Sequence, residues 1–328
     1  MKQLVVNFPQ QLAEAIAIGN KHSFKTKKNN FQNIVLSGLG GSGIGGSITQ
    51  NYIADSCSIP FIVNKDYFLP GFINEKSLVL ISSYSGNTEE TLAAMQQAIK
   101  MKATVICITS GGKVQELAKK HNLDCVIIPS GMPPRSCLGY SMVQVLYVLH
   151  HLGYVKKSFE KDLKASIDLL KKEAKAIQKE AKTVAKKLVN KMPIVYAAAD
   201  FEGVAVRFRQ QINENGKMLC WHHVIPEMNH NELVGWRKKD PNQAVVLLRN
   251  TTDYKRTQMR MEINKEVFKK YTKTIIEIHS KGKSYLERAF YLIHLTDFVS
   301  VDLAELNKLD PTEVKVIDYL KGALAKSK

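Results

Sequence analysis

Acidic residues are scarce in this chain. The 30 Asp and Glu stand against 47 Lys and Arg, leaving a formal charge of +17. An excess of that size favours anionic partners, whether nucleic acid, a membrane surface or a small phosphorylated molecule. Cysteine is sparse as well: Cys57, Cys107, Cys125, Cys137 and Cys220 are odd in number, widely spaced and form no CxxC pair. That argues against a disulfide framework or a zinc cluster and fits a reducing cytoplasm. No stretch approaches the ~18 uninterrupted apolar residues of a membrane span. The N-terminal MKQLVVNFPQQLAEA also lacks the apolar core of a secretory signal, so the chain reads as soluble and cytoplasmic. HExxH is missing too, although His222, His223, Glu227, His230 and Glu232 crowd together, and no metal is expected. What is present suffices for a core: 45% hydrophobic content excludes whole-chain disorder, and 328 residues at ~150 per domain suggest two domains.

Unalternated apolar runs recur at 33–38, 60–64, 77–82, 104–109 and 125–129, separated by amphipathic stretches such as TEETLAAMQQAIKMK. Strands apolar on both faces belong to a parallel sheet covered on both sides, so this half predicts a doubly wound α/β unit. From Leu163 through Ile167, Leu170 and Ala174 to Leu188 the apolar spacing alternates between four and three, which predicts one long helix over 156–191, ending near Pro193. Its lysine-rich face includes Glu173 and Glu180 and no interleaved aromatics, and so reads as solvated rather than as a nucleic-acid or membrane patch. Beyond Pro193 strands resume in PIVYAAA, AVVLLRN and TIIEIHS, with helices over 202–219, 255–271, 282–306 and 312–326. Two similar arrays joined by a long helix suggest domains at 1–153 and 154–328 with a cleft between them, without a residue-level repeat.

Two loops are suited to an anion. The first strand runs into Ser37-Gly-Leu-Gly-Gly-Ser-Gly-Ile-Gly-Gly-Ser47 before a helix beginning ITQNYIAD. Backbone without side chains approaches a phosphate closely, and the helix start adds N–H groups and a partial positive charge. Gly38, Gly40 and Gly43 also satisfy GxGxxG, a weak match that can be made again from Gly41. The third strand ends in Ser82-Ser-Tyr-Ser-Gly-Asn-Thr-Glu-Glu-Thr91, where Ser83, Ser85 and Thr88 offer more hydroxyls than a helix cap requires. A compact phosphate monoester is better served by such a loop than a dinucleotide is.

GLGGSGIGGS followed by SYSGNTEET resembles the sugar isomerase (SIS) domain, a flavodoxin-like unit that binds phosphosugars. Pro133-Pro-Arg-Ser-Cys-Leu-Gly-Tyr140, Gln211-Ile-Asn-Glu-Asn-Gly216 and Pro226-Glu-Met-Asn-His-Asn-Glu-Leu-Val-Gly-Trp236 continue the series in the order found in the bifunctional phosphoglucose/phosphomannose isomerases. The resemblance is colinear over nearly the whole chain. It implies two flavodoxin-like SIS domains, each a mainly parallel sheet flanked by helices, joined by a long helix. Gly216 stands where the family pattern leads us to expect alanine.

Aldose–ketose isomerisation shuttles a proton between C1 and C2 through a cis-enediolate, and so requires a base, a cation near the oxyanion and a group that opens the ring. The resemblance makes Glu214 the base, although the pattern alone reads it as a surface glutamate. It makes Arg135 the cation, aimed by the Pro133-Pro134 turn. It assigns ring opening to His230, reaching in from the partner of a homodimer, and to a lysine on the last helix, where Lys321 is the best positional match and Lys315 and Lys308 are rivals. Gly41, Ser42, Ser83, Ser85, Thr88 and Pro134 are the expected substrate contacts, and no cofactor is implied. Two other readings stay open. A non-catalytic phosphosugar sensor would usually carry a DNA-binding module, for which the residues before Phe31 are too few. A nicotinamide enzyme would want an acidic residue ending the second strand, where Asn64-Lys65-Asp66 fits only partly.

Overall fold

The computed structural model describes residues 1–326. Two helices not marked by the strand–helix alternation open the chain, α1 (Lys2–Val6) and α2 (Phe8–Lys21). The first sheet follows through β1 (Asn33–Ser37), α3 (Gly40–Ile53), β2 (Phe61–Asn64), β3 (Ser77–Ser83), α4 (Glu89–Lys100), β4 (Thr104–Thr109), α5 (Gly112–Lys120) and β5 (Asp124–Ile127). Its strands are all parallel, in the order β2-β1-β3-β4-β5, with Val35 of β1 set between Ile62 and Val79. Every residue of β1 and β3 is buried, as their unbroken apolar runs require.

A buried helix, α6 (Leu138–His151), leads to α7 (Phe159–Leu188), whose apolar seam packs against other helices while its lysines face water. The second sheet is built from β6 (Met192–Ala198), α8 (Glu202–Glu214), β7 (Trp221–Ile225), β8 (Gln243–Arg249), α9 (Lys255–Phe268), β9 (Thr274–His279) and α10 (Tyr285–Leu306), with α11 (Lys315–Lys326) at the end. It too is parallel, in the order β7-β6-β8-β9, so the first four strands of both sheets share one topology. One apolar core runs from Ile34 and Leu80 of the first sheet through α6, α7 and α10 to Val195 and Val246 of the second.

Three local features refine the reading of the sequence. The glycine-rich segment is not a loop ahead of a helix: α3 begins at Gly40, so most of those glycines form its first turns. Pro133-Pro134 leads into a short 3-10 turn, Pro134–Ser136, whose first residue tolerates proline because no N–H is needed there, and α6 follows from Leu138. β7 went unmarked because WHHVI carries two histidines; it is an edge strand and only Ile225 is fully buried.

Among the described residues no helix is long and apolar enough to cross a membrane. All five cysteines are free thiols; Cys107 and Cys125 sit opposite each other on β4 and β5.

α10 is buried along nearly its whole length and carries polar residues into the core. His294 is one of them, its ring stacked on Phe8 at 5.8 Å and set edge-on to Phe298 at 4.9 Å, with Nδ1 unpartnered. Burial lowers its pKa from 6.5 to about 4. Between those values the unfolded chain binds a proton that the folded chain refuses, so stability is complete above the unfolded value and falls as pH drops. Between pH 7 and pH 5 the loss from this group is about 2 kcal/mol. His222 is also lowered, to about 4, by burial and Arg209 and titrates in the same window, so the measurement is a difference between proteins. Denaturant unfolding of the wild type and His294→Leu at both pH values should show a shallower acid slope in the variant; equal slopes would contradict this role for His294.

Candidate active site

β1 ends at Ser37, and the chain turns through Gly38 and Leu39 into α3. No side chain caps this helix; the Ser42 N–H donates to the Leu39 carbonyl at 3.1 Å, which leaves the Gly40 and Gly41 N–H groups to meet an anion. Gly43 has to be glycine: a Cβ there would lie 2.4 Å from the Gly38 carbonyl oxygen. A Cβ on Gly41 would sit 3.1 Å from the Pro134 carbonyl oxygen, so the helix start and the Pro134–Ser136 turn touch. The junction between β3 and α4 lies beside them, because β1 and β3 are neighbours. There Ser83 donates to the Thr88 hydroxyl at 3.1 Å, and the Ser85 hydroxyl accepts from the Asn87 N–H at 3.2 Å. Ser42 and Ser83 are buried and Ser85 is exposed.

The Pro134–Ser136 turn sends Arg135 away from its own sheet towards the end of α8. The residue is only 5% exposed. Its Nε donates to Asn215 Oδ1 at 2.7 Å, Nη1 to Glu214 Oε2 at 3.3 Å, and Nη2 to the carbonyls of Pro311 at 2.6 Å and Thr312 at 3.1 Å. Burial acts against the guanidinium charge, and Glu214 and Asp310 oppose that effect. The Glu214 side chain remains 31% exposed, so the carboxylate is fixed from one side and accessible from the other.

A second buried arginine supports the first. Arg207 donates through Nη2 to the Arg135 carbonyl at 3.1 Å and to Asp297 at 2.6 Å, and Gln211 also donates to Asp297, at 3.0 Å. Asn215 in turn donates to the Ser300 hydroxyl at 2.9 Å, and Ser300 to the Asp297 carbonyl at 2.7 Å. Arg207, Gln211, Asn215, Asp297 and Ser300 went unassigned in the sequence. The usable signal was Asp297 and Ser300 within the otherwise apolar run of α10, since buried polar groups are kept where partners await them. Gly216 also finds its reason: a Cβ there would meet the Ile212 carbonyl oxygen at 2.9 Å, so the alanine of the family pattern does not fit this turn.

Arg135, Glu214, Gly41 and Pro134 thus come together. His230 and Lys321 do not join them: both are exposed, and among the described residues no hydrogen bond or ion pair links either to Arg135 or Glu214. Glu232, near His230 in sequence, is turned to structural work, accepting from Tyr196 at 2.5 Å and from Trp221 and His223 at 2.9 Å each. Among the described residues no group of three or more His, Cys, Asp or Glu could hold a metal ion.

The SIS domain model matches residues 29–147, and the model of the bacterial phospho-glucose isomerase C-terminal SIS domain matches residues 177–324. Fold and site therefore define a double-SIS α/β protein. A bifunctional phosphoglucose/phosphomannose isomerase of Caldicellulosiruptor bescii is 42% identical over 340 residues, covering 100% of both chains. One from Aquifex aeolicus is 38% identical over 90% of this chain and 91% of its own. The chain belongs to the bifunctional phosphoglucose/phosphomannose isomerase family. A more distant relative, the D-glucosamine-6-phosphate 4-epimerase of Sulfolobus acidocaldarius, is 26% identical over 88% of each chain. Among solved structures, the C-terminal domain of glucosamine-fructose-6-phosphate aminotransferase from Francisella tularensis shares 13% identity with a TM-score of 0.77, over 96% of this chain and 97% of that one. This likeness speaks to the fold alone.

Asn215 holds Arg135 through a charge-assisted bond, and such bonds contribute about 1.5–3 kcal/mol. Asn215→Leu, close in size and without the acceptor, should lower kcat/KM for the sugar phosphate by ~10–100-fold with the fold retained by circular dichroism. An unchanged kcat/KM would show that the carbonyls of Pro311 and Thr312 hold the guanidinium unaided.

Proposed function

We propose that the protein is an aldose–ketose isomerase interconverting glucose 6-phosphate and mannose 6-phosphate with fructose 6-phosphate, working as a cytoplasmic homodimer. The observation that carries this reading is the Arg135–Glu214 pair, held at 3.3 Å beside an uncapped, glycine-rich helix start. In it the unit over 1–153 binds phosphate through the Gly41 amide and the hydroxyls of Ser42, Ser83, Ser85 and Thr88, with Pro134 closing one wall. The unit over 154–328 supplies the base.

Glu214 takes the proton from C2 of the open-chain aldose, the hydroxyl proton passes from O2 to O1 in the enediolate, and Glu214 returns its proton at C1. When C2 is deprotonated, negative charge leaves the carboxylate and appears on the substrate oxygen. A guanidinium already fixed beside the carboxylate needs little movement to follow that charge. Arginine has five N–H donors, and the bonds to Asn215, Glu214, Pro311 and Thr312 use four. The fifth is on Nη1, the nitrogen next to Glu214, and is free for the enediolate. Glucose and mannose phosphates share one enediolate, so a single base serves both when either face of C2 can be reprotonated. His230 of a second copy, and Lys321, open the ring.

Glu214→Gln should reduce turnover of both aldose phosphates by at least ~1,000-fold, while 6-phosphogluconate still raises the Tm. Retained turnover in the coupled assay would sink the assignment. The shared site is tested by mixing two inactive variants, Glu214→Gln and His230→Ala. If His230 serves the partner's site, each mixed dimer holds one intact site, and a one-to-one mixture should recover about a quarter of wild-type activity. No recovery, with mixed dimers demonstrated, would place His230 in its own chain's site or outside the chemistry.

A further inference from the structure

We infer that Lys217 is a positioning residue that ties the end of the base-bearing helix to the turn delivering α11, so that Glu214, Arg135 and the helix bearing Lys321 keep one arrangement. The inference rests on the isomerase reading above and adds to it a residue that reading leaves idle.

The backbone gives the first reason. α8 ends at Glu214, and three residues later Lys217 sits in the left-handed region, at φ 54°. Side chains are disfavoured there, and glycine or asparagine is the usual occupant at a helix end. A glycine is present one position earlier, but it answers to the approach of the Ile212 carbonyl and does not relieve Lys217. Lys102 and Lys308 share this conformation, and what sets Lys217 apart from them is the work of its side chain.

That work is visible. The Lys217 ammonium donates to the Glu214 carbonyl at 2.6 Å and to the carbonyl of Glu313. Arg135 takes the two preceding carbonyls, those of Pro311 and Thr312. Three consecutive carbonyls are therefore claimed by two cations, one sent from the first sheet and one from the end of α8. The Glu313 side chain then accepts from the Lys315 N–H at 2.5 Å, where α11 begins. No residue of α11 is buried, so residues 311–313 are the anchored part of the segment that aims it. Burial and the nearby Arg135 both act against the ammonium charge, while Glu313, Asp310 and Glu214 support it. Lys217 has no hydrogen bond to the loops assigned to phosphate, which separates positioning from substrate contact.

Lys217→Gly keeps the experiment interpretable, because glycine relieves the left-handed strain while removing the amine. For this variant we expect an unchanged or higher Tm and a kcat lower by ~100-fold, with KM for fructose 6-phosphate and Kd for 6-phosphogluconate within about threefold of wild type. Lys217→Arg should recover most of kcat, and amide exchange over 312–318 should quicken in the glycine variant. A wild-type kcat overturns the inference, as does a KM increase that accounts for the whole loss, which would make Lys217 a substrate contact. A lower Tm with normal kcat would reduce it to a helix cap and also overturns it. Glu214→Gln is assayed alongside: if it turns over, the isomerase reading fails, and if it is dead while Lys217→Gly is fully active, only the role of Lys217 fails.

Discussion

The structure turns on one buried cation. Arg135 leaves the first sheet's connection, crosses to the end of α8 and is held there by a carboxylate, an amide oxygen and two carbonyls. A guanidinium withdrawn from water has to have its donors met, since unpaired buried charge is far more costly than unpaired buried amide. Much of the surrounding architecture can be read as meeting that demand. Asn215 needs Ser300, Ser300 needs the Asp297 carbonyl, and the Asp297 carboxylate is neutralised by Arg207, which closes the loop on the Arg135 carbonyl. The two sheets are joined by a continuous apolar core, and this polar chain fixes the register in which they face each other.

The helix ends on either side of the site are electrically matched to their tasks. α3 presents its N-terminus, where unpaired N–H groups carry partial positive charge, to the side where a phosphate would lie. α8 presents its C-terminus, whose carbonyls carry partial negative charge, and there the structure places Arg135 and Lys217. α3 and α8 hold equivalent places in the two sheets, each following the first strand, and they pack closely: a Cβ on Gly203 of α8 would lie 2.9 Å from Ile48 of α3. A pair of related helices thus gives opposite ends to one cleft.

Much of the fold was legible because parallel strands covered on both faces must be apolar throughout, and those runs are unmistakable in NIVLS, SLVLISS and AVVLLR. β7 escaped because an edge strand, half exposed, tolerates His222 and His223. The phosphate loops were legible from glycine and hydroxyl density, and Arg135 and Glu214 from a colinear resemblance. The support of the site was not. Asn215, Asp297 and Ser300 interact across separations of 80 or more residues, and no local pattern carries such a pairing. Lys217 was illegible for another reason: it looks like one more surface lysine until its bonds to the Glu214 and Glu313 carbonyls are seen.

The excess of positive charge takes on a narrower meaning in this light. The nine lysines of α7 stand against five carboxylates, so its water-facing side carries only +4 of the +17 and the rest is spread over the chain, whereas the expected phosphate donors are amides and hydroxyls. At the carboxyl edge of the second sheet, the place matching the phosphate loops of the first, the chain carries Asp200 and Asp253 instead, and Asp253 accepts from the Asn250 N–H at 3.1 Å. A phosphate would meet carboxylates there. The two sheets therefore share a topology but not a binding edge: one kept amides and hydroxyls suited to an anion, and the other placed carboxylates at that edge and works through the far end of its first helix. Two copies of one architecture form a single asymmetric cleft because neutral donors stand at one edge where carboxylates stand at the equivalent edge of the other.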